Sequence, residues 1–512
     1  MQYFRMSHRA TEARRKRWQA AHRDFLYLLC ASVALWLIIA LLISPPPVRA
    51  QSGIASDRIE LHQALLDLTN SWTVLCVAAH PDDEDGATLT VLRRKYGAHT
   101  VTLFSTYGEG GQNAIGPELY EELGAIRARE TLRAAEIQGS EAHFLALRDF
   151  GFSKSAGEAF RIWGHEEALR RMVLQIRSLR PDVIITNHDT TSGHGHHQAT
   201  GRLVEEAFDA AADPKRFPEQ LGTADVVGVW QPQRLFVRVN YESGTGSKAL
   251  EDEATRAGKI VTVNPNEPDP VRGTSYAEQA LRALQQHASQ GPWPNAIPKD
   301  GAPLIRYRLA REAKDAAPLP ANASTVLEGL QLPEHLKRKL ASPTINGRSL
   351  LEFTEQRERV FKAIASTRAR IIPFDDAVKA NKDRRNSLRH NRTDDALLAA
   401  SGISMSLIPQ EAALIPNTSA SFTLKFSNQG TKGTSIESVT FVGFNRDLQY
   451  SKKSVRLMPQ TTVTQKFETL IPKESAVNLP RAMHLYDGRL FGETFEAIVR
   501  LKIDGVTVWQ LV

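Results

Sequence analysis

The chain has 512 residues, more than one hydrophobic core ordinarily serves, and its 42% hydrophobic and 24% charged content excludes wholesale disorder. The net charge of +7 does not describe a nucleic-acid-binding surface. Residues 1–50 hold eight Lys and Arg against two acids, and the remainder is close to neutral, so no nucleic-acid partner is expected.

Residues 1–23 form a basic arm. Phe25 to Ile43 is a run of 19 residues without a charge, long enough to cross a bilayer as a helix at about 20 residues needed. A transmembrane segment is expected over 24–44, with the arm cytoplasmic and the bulk of the chain across the membrane. Two readings stay open. In one the segment is an uncleaved signal anchor, which leaves the chain membrane-anchored. In the other it is a signal peptide cleaved after Val48-Arg49-Ala50, which leaves the chain secreted or periplasmic. Pro45-Pro46-Pro47 ends the segment, and residues 45–66 read as a linker. Cys30 and Cys76 are too separated in context to suggest a disulfide, and two cysteines exclude a Cys-rich metal site.

From Trp72 the pattern alternates. Thr73 to Ala79 is continuously apolar, as expected of a strand covered on both faces. A helix over 85–95 follows, then a strand at Thr100 to Phe104, a helix over 118–138 and a short strand at Phe144 to Leu147. A helix over 165–179 and the strand Val183 to Thr186 come next, and 234–239 adds another strand. This β-α-β order predicts an α/β domain over 67–300, a Rossmann-like parallel sheet with helices on both faces. Such sheets collect their chemistry at the C-terminal strand ends. The stretch from about 240 to 400 mixes Pro-rich connections with helical pieces at 275–288 and 348–370, and residues 301–400 read as a helical connecting region. Beyond Ser401 apolar residues alternate at Phe422, Leu424 and Phe426, then at Val499, Leu501 and Ile503. Asp504-Gly505 gives a type I′ hairpin signal. Residues 401–512 are expected to form an immunoglobulin-like β-sandwich.

Two loops carry the chemistry. Ala79-His80-Pro81-Asp82-Asp83-Glu84 leaves the first strand, and His nitrogen with Asp oxygen suits Zn²⁺. Adjacent Asp82 and Asp83 point different ways, so one is free to ligate while the other faces the open coordination position. The second loop, His188 to His197, follows the strand Val183 to Thr186 and ends in His194-Gly195-His196-His197. Three histidines in four residues at a strand-to-helix loop, placed equivalently to the first motif, point to a metal.

These motifs resemble those of the LmbE-like/PIG-L family of zinc-dependent N-deacetylases, whose first motif, A-H-P-D-D-E, is matched without change. The resemblance covers about residues 72–290. It implies that His80, Asp83 and His197 bind Zn²⁺, that Asp82 is the general base activating a zinc-bound water, and that His194 is the acid or oxyanion stabiliser. Some members carry an Asp where this chain has His196, and some a Tyr where it has Ser192. Family-like substrate contacts are Glu109, Arg129 and Asp149, against the alternatives of a plain turn, a surface ion pair and a loop cap. His287 also resembles a family feature, with a structural helix-end role as its alternative. The implied activity is hydrolysis of an acetamide on an N-acetylglucosamine-type sugar or glycoconjugate. The competing readings are a metal-dependent hydrolase of another bond, and a non-catalytic glycan-binding protein of the envelope with a degenerate metal site.

Overall fold

A computed structural model describes residues 49–223, 226, 228–239, 245–332, 334–337, 340–368, 384–411, 415–442, 448–450, 455–471, 473 and 496–512. The apolar run at 25–43 and Cys30 lie outside these. Among the described residues no helix is long and apolar enough to cross a membrane.

A seven-stranded sheet organises the first half of the chain. Its strands are β1 (Thr73–Ala78), β2 (His99–Thr106), β3 (Glu141–Leu147), β4 (Val183–Thr186), β5 (Arg234–Arg238), β6 (Ile260–Val263) and β7 (Ile305–Glu312), in the order β3-β2-β1-β4-β5-β7-β6. The first five are parallel, with Val77 opposite both Leu103 of β2 and Thr186 of β4. The chain moves outward from β1 to β3, then returns to place β4 on the other side of β1. That reversal opens a crevice between the ends of β1 and β4.

Side-chain alternation on the buried strands explains the two covered faces. Val74 and Cys76 of β1 join Leu89 and Leu92 of the Gly86–Arg94 helix in one core. Leu75 and Val77 point the other way, into a core shared with Met172 of the His165–Leu179 helix and with Leu203 and Phe208 of the Gly195–Ala210 helix. Helices therefore lie on both sides of the sheet.

The sheet departs from the expected all-parallel form at one edge, where β7 runs antiparallel to both β5 and β6. Ile305, Tyr307 and Leu309 are buried while Arg306 and Arg308 are half-exposed, the alternation of a half-covered strand. The sheet thus extends beyond the expected boundary at residue 300. Residues 45–66, expected as a linker, contain most of a helix, Arg49–Asp67. Its Leu61 and Leu65, with Leu68 just beyond, are buried.

The C-terminal region is antiparallel throughout its described strands. β8 (Thr344–Ile345) and β9 (Arg348–Ser349) make a small hairpin ahead of it. One three-stranded sheet has the order β10 (Ile403–Pro409), β11 (Ser419–Asn428), β15 (Thr461–Leu470). The other joins β13 (Leu448–Tyr450), β12 (Thr434–Val442), β16 (Glu496–Ile503) and β17 (Val506–Leu511), with β14 (Val455–Leu457) also on β12. The ring of Phe422 on β11 lies 5.7 Å from that of Phe441 on β12, so the two sheets meet in one core. Asp504 and Gly505 both have positive φ, as the hairpin signal required. The Arg357–Arg368 and Arg384–Ser401 helices pack into the same core, which also receives Leu61, Leu65 and Leu68.

Candidate metal centre

The first loop turns sharply as it leaves β1. Asp83 N–H donates to the His80 carbonyl at 3.1 Å, and Asp83 Oδ2 accepts the His80 N–H at 3.0 Å. The turn requires a φ of +91° at Asp82, a conformation few side-chain-bearing residues adopt, and such strain concentrates at functional sites. Neighbours hold it there. Asp82 N–H donates to Glu84 Oε2 at 3.0 Å, and Gln290 Nε2 donates to the Pro81 carbonyl at 2.5 Å. Glu84 is fixed in turn by His287 Nε2 at 3.2 Å and Gln138 Nε2 at 3.1 Å. His287 is fully buried, so its place is behind the loop.

The second loop brings His197 to the same point from the start of the Gly195–Ala210 helix. Asp83 Oδ2 lies 2.9 Å from His80 Nδ1 and 3.3 Å from His197 Nε2, and the two nitrogens are 3.3 Å apart. Ligands at 2.0–2.1 Å from a tetrahedral Zn²⁺ sit roughly 3.3 Å from one another. Two imidazoles and a carboxylate at that spacing fit the ion. His80, Asp83 and His197 thus form a group that can hold a metal.

His80 is oriented for this by a histidine the sequence reading left without a role. Its other nitrogen, Nε2, lies 3.1 Å from His196 Nδ1. For Nδ1 to ligate, Nε2 carries the proton and donates to His196, the arrangement that fixes the tautomer of a metal-binding imidazole. His196 stacks on Trp163 at 5.0 Å and meets Phe150 edge-on at 4.3 Å. Desolvation, with His80 and His194 nearby, pushes it down to about 2, so it stays neutral. His188 is the second such anchor. Its Nε2 accepts the Ala79 N–H at 3.0 Å, and desolvation, with His197 beside it, pushes it down to about 3.

His194 caps the N-terminus of the Gly195–Ala210 helix, and its ring lies 4.0 Å from that of His197. Its Nδ1 faces Ser153 Oγ at 3.0 Å, and the same Oγ accepts the His196 N–H at 2.6 Å. The Ser153 hydroxyl proton is therefore available to His194 Nδ1, which leaves Nε2 protonated on a neutral ring. Desolvation, with His197 and His80 close by, pushes His194 down to about 3. The two aspartates separate. Desolvation, together with the charges of Asp83 and Glu84, raises Asp82 well above the ordinary carboxylate range. Asp83 stays well below it, because His197 and His80 outweigh its own burial.

The expected substrate contacts divide. Asp149 is buried beside the centre, with Oδ2 3.8 Å from His80 Nε2 and Oδ1 3.8 Å from His196 Nδ1. Glu109 sits deeper, fully buried, accepting the Tyr107 N–H at 3.1 Å and the Asp149 N–H at 2.7 Å. It braces the Asp149 loop. Arg129 is exposed on the outer side of the Glu121–Gln138 helix. The inward guanidinium is Arg127, which donates to the Gly108 carbonyl at 2.5 Å, to the Gln112 carbonyl and to Ser289 Oγ, and stands within electrostatic reach of Asp82. Helix positions two residues apart differ by about 200° at 3.6 residues per turn, so these arginines face opposite ways. Leu123 and Thr131, four residues either side of Arg127 and both buried, marked the inner face.

The sequence matches the PIG-L family, described as GlcNAc-PI de-N-acetylase, over residues 75–208, a span that includes both loops. It is 29% identical over 290 residues to a 1D-myo-inositol 2-acetamido-2-deoxy-alpha-D-glucopyranoside deacetylase of Geodermatophilus obscurus, covering 49% of this chain and 96% of that protein. It is 30% identical over 281 residues to a mycothiol S-conjugate amidase of Streptomyces coelicolor, covering 48% and 93%. A deacetylase of the first kind from Saccharopolyspora erythraea is 33% identical over 235 residues, covering 42% and 82%. With both metal loops inside the matched span and nearly the whole of these relatives covered, the chain belongs to the PIG-L family.

Proposed function

We propose that the chain is a zinc-dependent deacetylase that hydrolyses the acetamide of an N-acetylglucosamine-type sugar or glycoconjugate. The observation that carries this is the near-tetrahedral spacing of His80 Nδ1, Asp83 Oδ2 and His197 Nε2, with Asp82 next in the chain and within electrostatic reach of Asp83. By their names the deacetylase relatives act on a 2-acetamido sugar and another relative is an amidase, and family membership makes this chain an amide hydrolase as well.

Zn²⁺ held by His80, Asp83 and His197 would acidify a water and polarise the acetamide oxygen. Asp82 accepts the proton as the water attacks the carbonyl carbon. His194, held by Ser153, offers its Nε2–H to the oxygen that becomes negative. The carbon–nitrogen bond then breaks and the amine leaves with the proton that Asp82 collected. Asp149 accepts a sugar hydroxyl at the edge of the site, and Glu109 keeps Asp149 in place. Residues 24–44 serve as the membrane segment or signal, which puts the catalytic unit on the extracytoplasmic side, and the C-terminal sheets form an immunoglobulin-like sandwich.

Acetate release from a panel of N-acetylated sugars tests the reading. Release should stop with a chelator and return with Zn²⁺. A protein that holds one zinc per chain and frees no acetate from any of them would overturn it.

A further inference from the structure

A cavity of about 410 Å³ adjoins the first loop on the side of the Tyr276–Leu284 helix, within the size range of small-molecule sites at about 300–1,000 Å³. Asp82 stands in its wall. So do Ala277, Ala280, Leu281 and Leu284, which share one face of that helix, together with Trp293 and Ile297. The charged groups at its loop end are already engaged. Arg238 Nη1 lies 3.3 Å from Asp85 Oδ2, which also accepts the Tyr307 hydroxyl at 2.6 Å, and Glu84 is held by His287 and Gln138. The Trp293 indole N–H donates to the His287 carbonyl at 2.7 Å. What remains for an occupant is mainly apolar wall.

We infer that this cavity receives the acyl chain of the substrate, so that the enzyme cleaves N-acyl amino sugars longer than N-acetyl. This rests on the proposed amide hydrolysis. In that reaction Asp82 serves the carbonyl carbon, and the acyl chain is bonded directly to that carbon. A methyl group stops there. A longer chain has an apolar cavity with the same aspartate in its wall, and each methylene it places inside leaves water. The bond changes are those of the shorter substrate: water oxygen bonds to the acyl carbon, the carbon–nitrogen bond breaks, and a carboxylate and an amine leave.

The test is a series of N-acetyl, N-butanoyl, N-hexanoyl and N-octanoyl glucosamine with the zinc-loaded full-length chain, reading amine release. kcat/KM should rise along the series by up to about fourfold per methylene until the cavity is full. Ala280→Phe and, independently, Ala277→Leu reduce the space, and each should flatten that rise, with thermal melting used to select a variant that folds. A kcat/KM that is level or falls with chain length in the wild type overturns the acyl pocket while leaving the deacetylase reading intact. So does a rise that both folded variants retain. Absence of amine release from every member, the acetyl compound included, overturns both.

Discussion

His196 Nδ1 lies 3.1 Å from His80 Nε2, and that contact decides which nitrogen of His80 faces Asp83 and His197. Loss of such an outer partner typically weakens metal binding by about 10–100-fold. His196→Phe keeps a ring between Trp163 and Phe150 but removes the acceptor. Zinc affinity by chelator competition should fall in that range, and an unchanged affinity would show that His80 needs no such partner.

Asp82 and Asp83 are neighbours with opposite tasks in the proposed reaction. Asp82→Asn should retain stoichiometric zinc and lose activity by about 10²–10⁴-fold. Asp83→Asn should lose the metal itself. Metal analysis beside acetate release separates the two, and an active Asp82→Asn enzyme removes this carboxylate from the mechanism.

Arg127 and Arg129 make a matched control. Arg127→Ala strips three donors from a buried site and leaves the Gly108 and Gln112 carbonyls without them, a loss of about 2–4 kcal/mol in denaturant unfolding. Arg129→Ala should stay within about 0.5 kcal/mol of wild type. Equal effects would contradict the placement of the two side chains.

Burial pushes the Glu109 carboxyl up to about 8, against the backbone N–H groups of Asp149 and Tyr107. The folded chain then holds a proton that the unfolded chain releases near 4.5. The unfolded state binds fewer protons between those values, so this contribution to stability falls as pH rises from about 4.5 through 8. Glu109→Gln cannot titrate. The stability of wild type relative to this variant should decline across that window, and a difference that is flat with pH would mean the carboxyl is ionised throughout.

Much of the candidate site is legible because its histidines and aspartate occupy equivalent positions after two strands. His80 and Asp83 follow β1, His194 and His197 follow β4, and adjacency of those strands brings them together. The supporting residues are harder to read. Trp163, Phe150 and Ser153 lie more than 30 residues before His196 and gain their meaning only when the Ala156–Trp163 helix packs against the Gly195–Ala210 helix. In the fold, β7 is hard to read locally because Arg306 and Arg308 interrupt its apolar residues and Pro-rich connections surround it. The Arg49–Asp67 helix was hidden for a different reason. Its apolar side is covered by residues about 300 positions away, which no local pattern announces.

That last packing ties the two ends of the described chain together. Leu61, Leu65 and Leu68 share a core with Val360, Leu397 and Phe422, and Arg392 donates to the Asp67 and Asn70 carbonyls at 3.0 and 2.9 Å. A fragment that keeps the Arg49–Asp67 helix and the catalytic sheet but lacks the C-terminal sheets and their two helices would present that leucine row to solvent and strand those carbonyls, so it should clump or be degraded where the intact polypeptide survives. The C-terminal sheets therefore act as a clasp on the segment that leads into the enzyme.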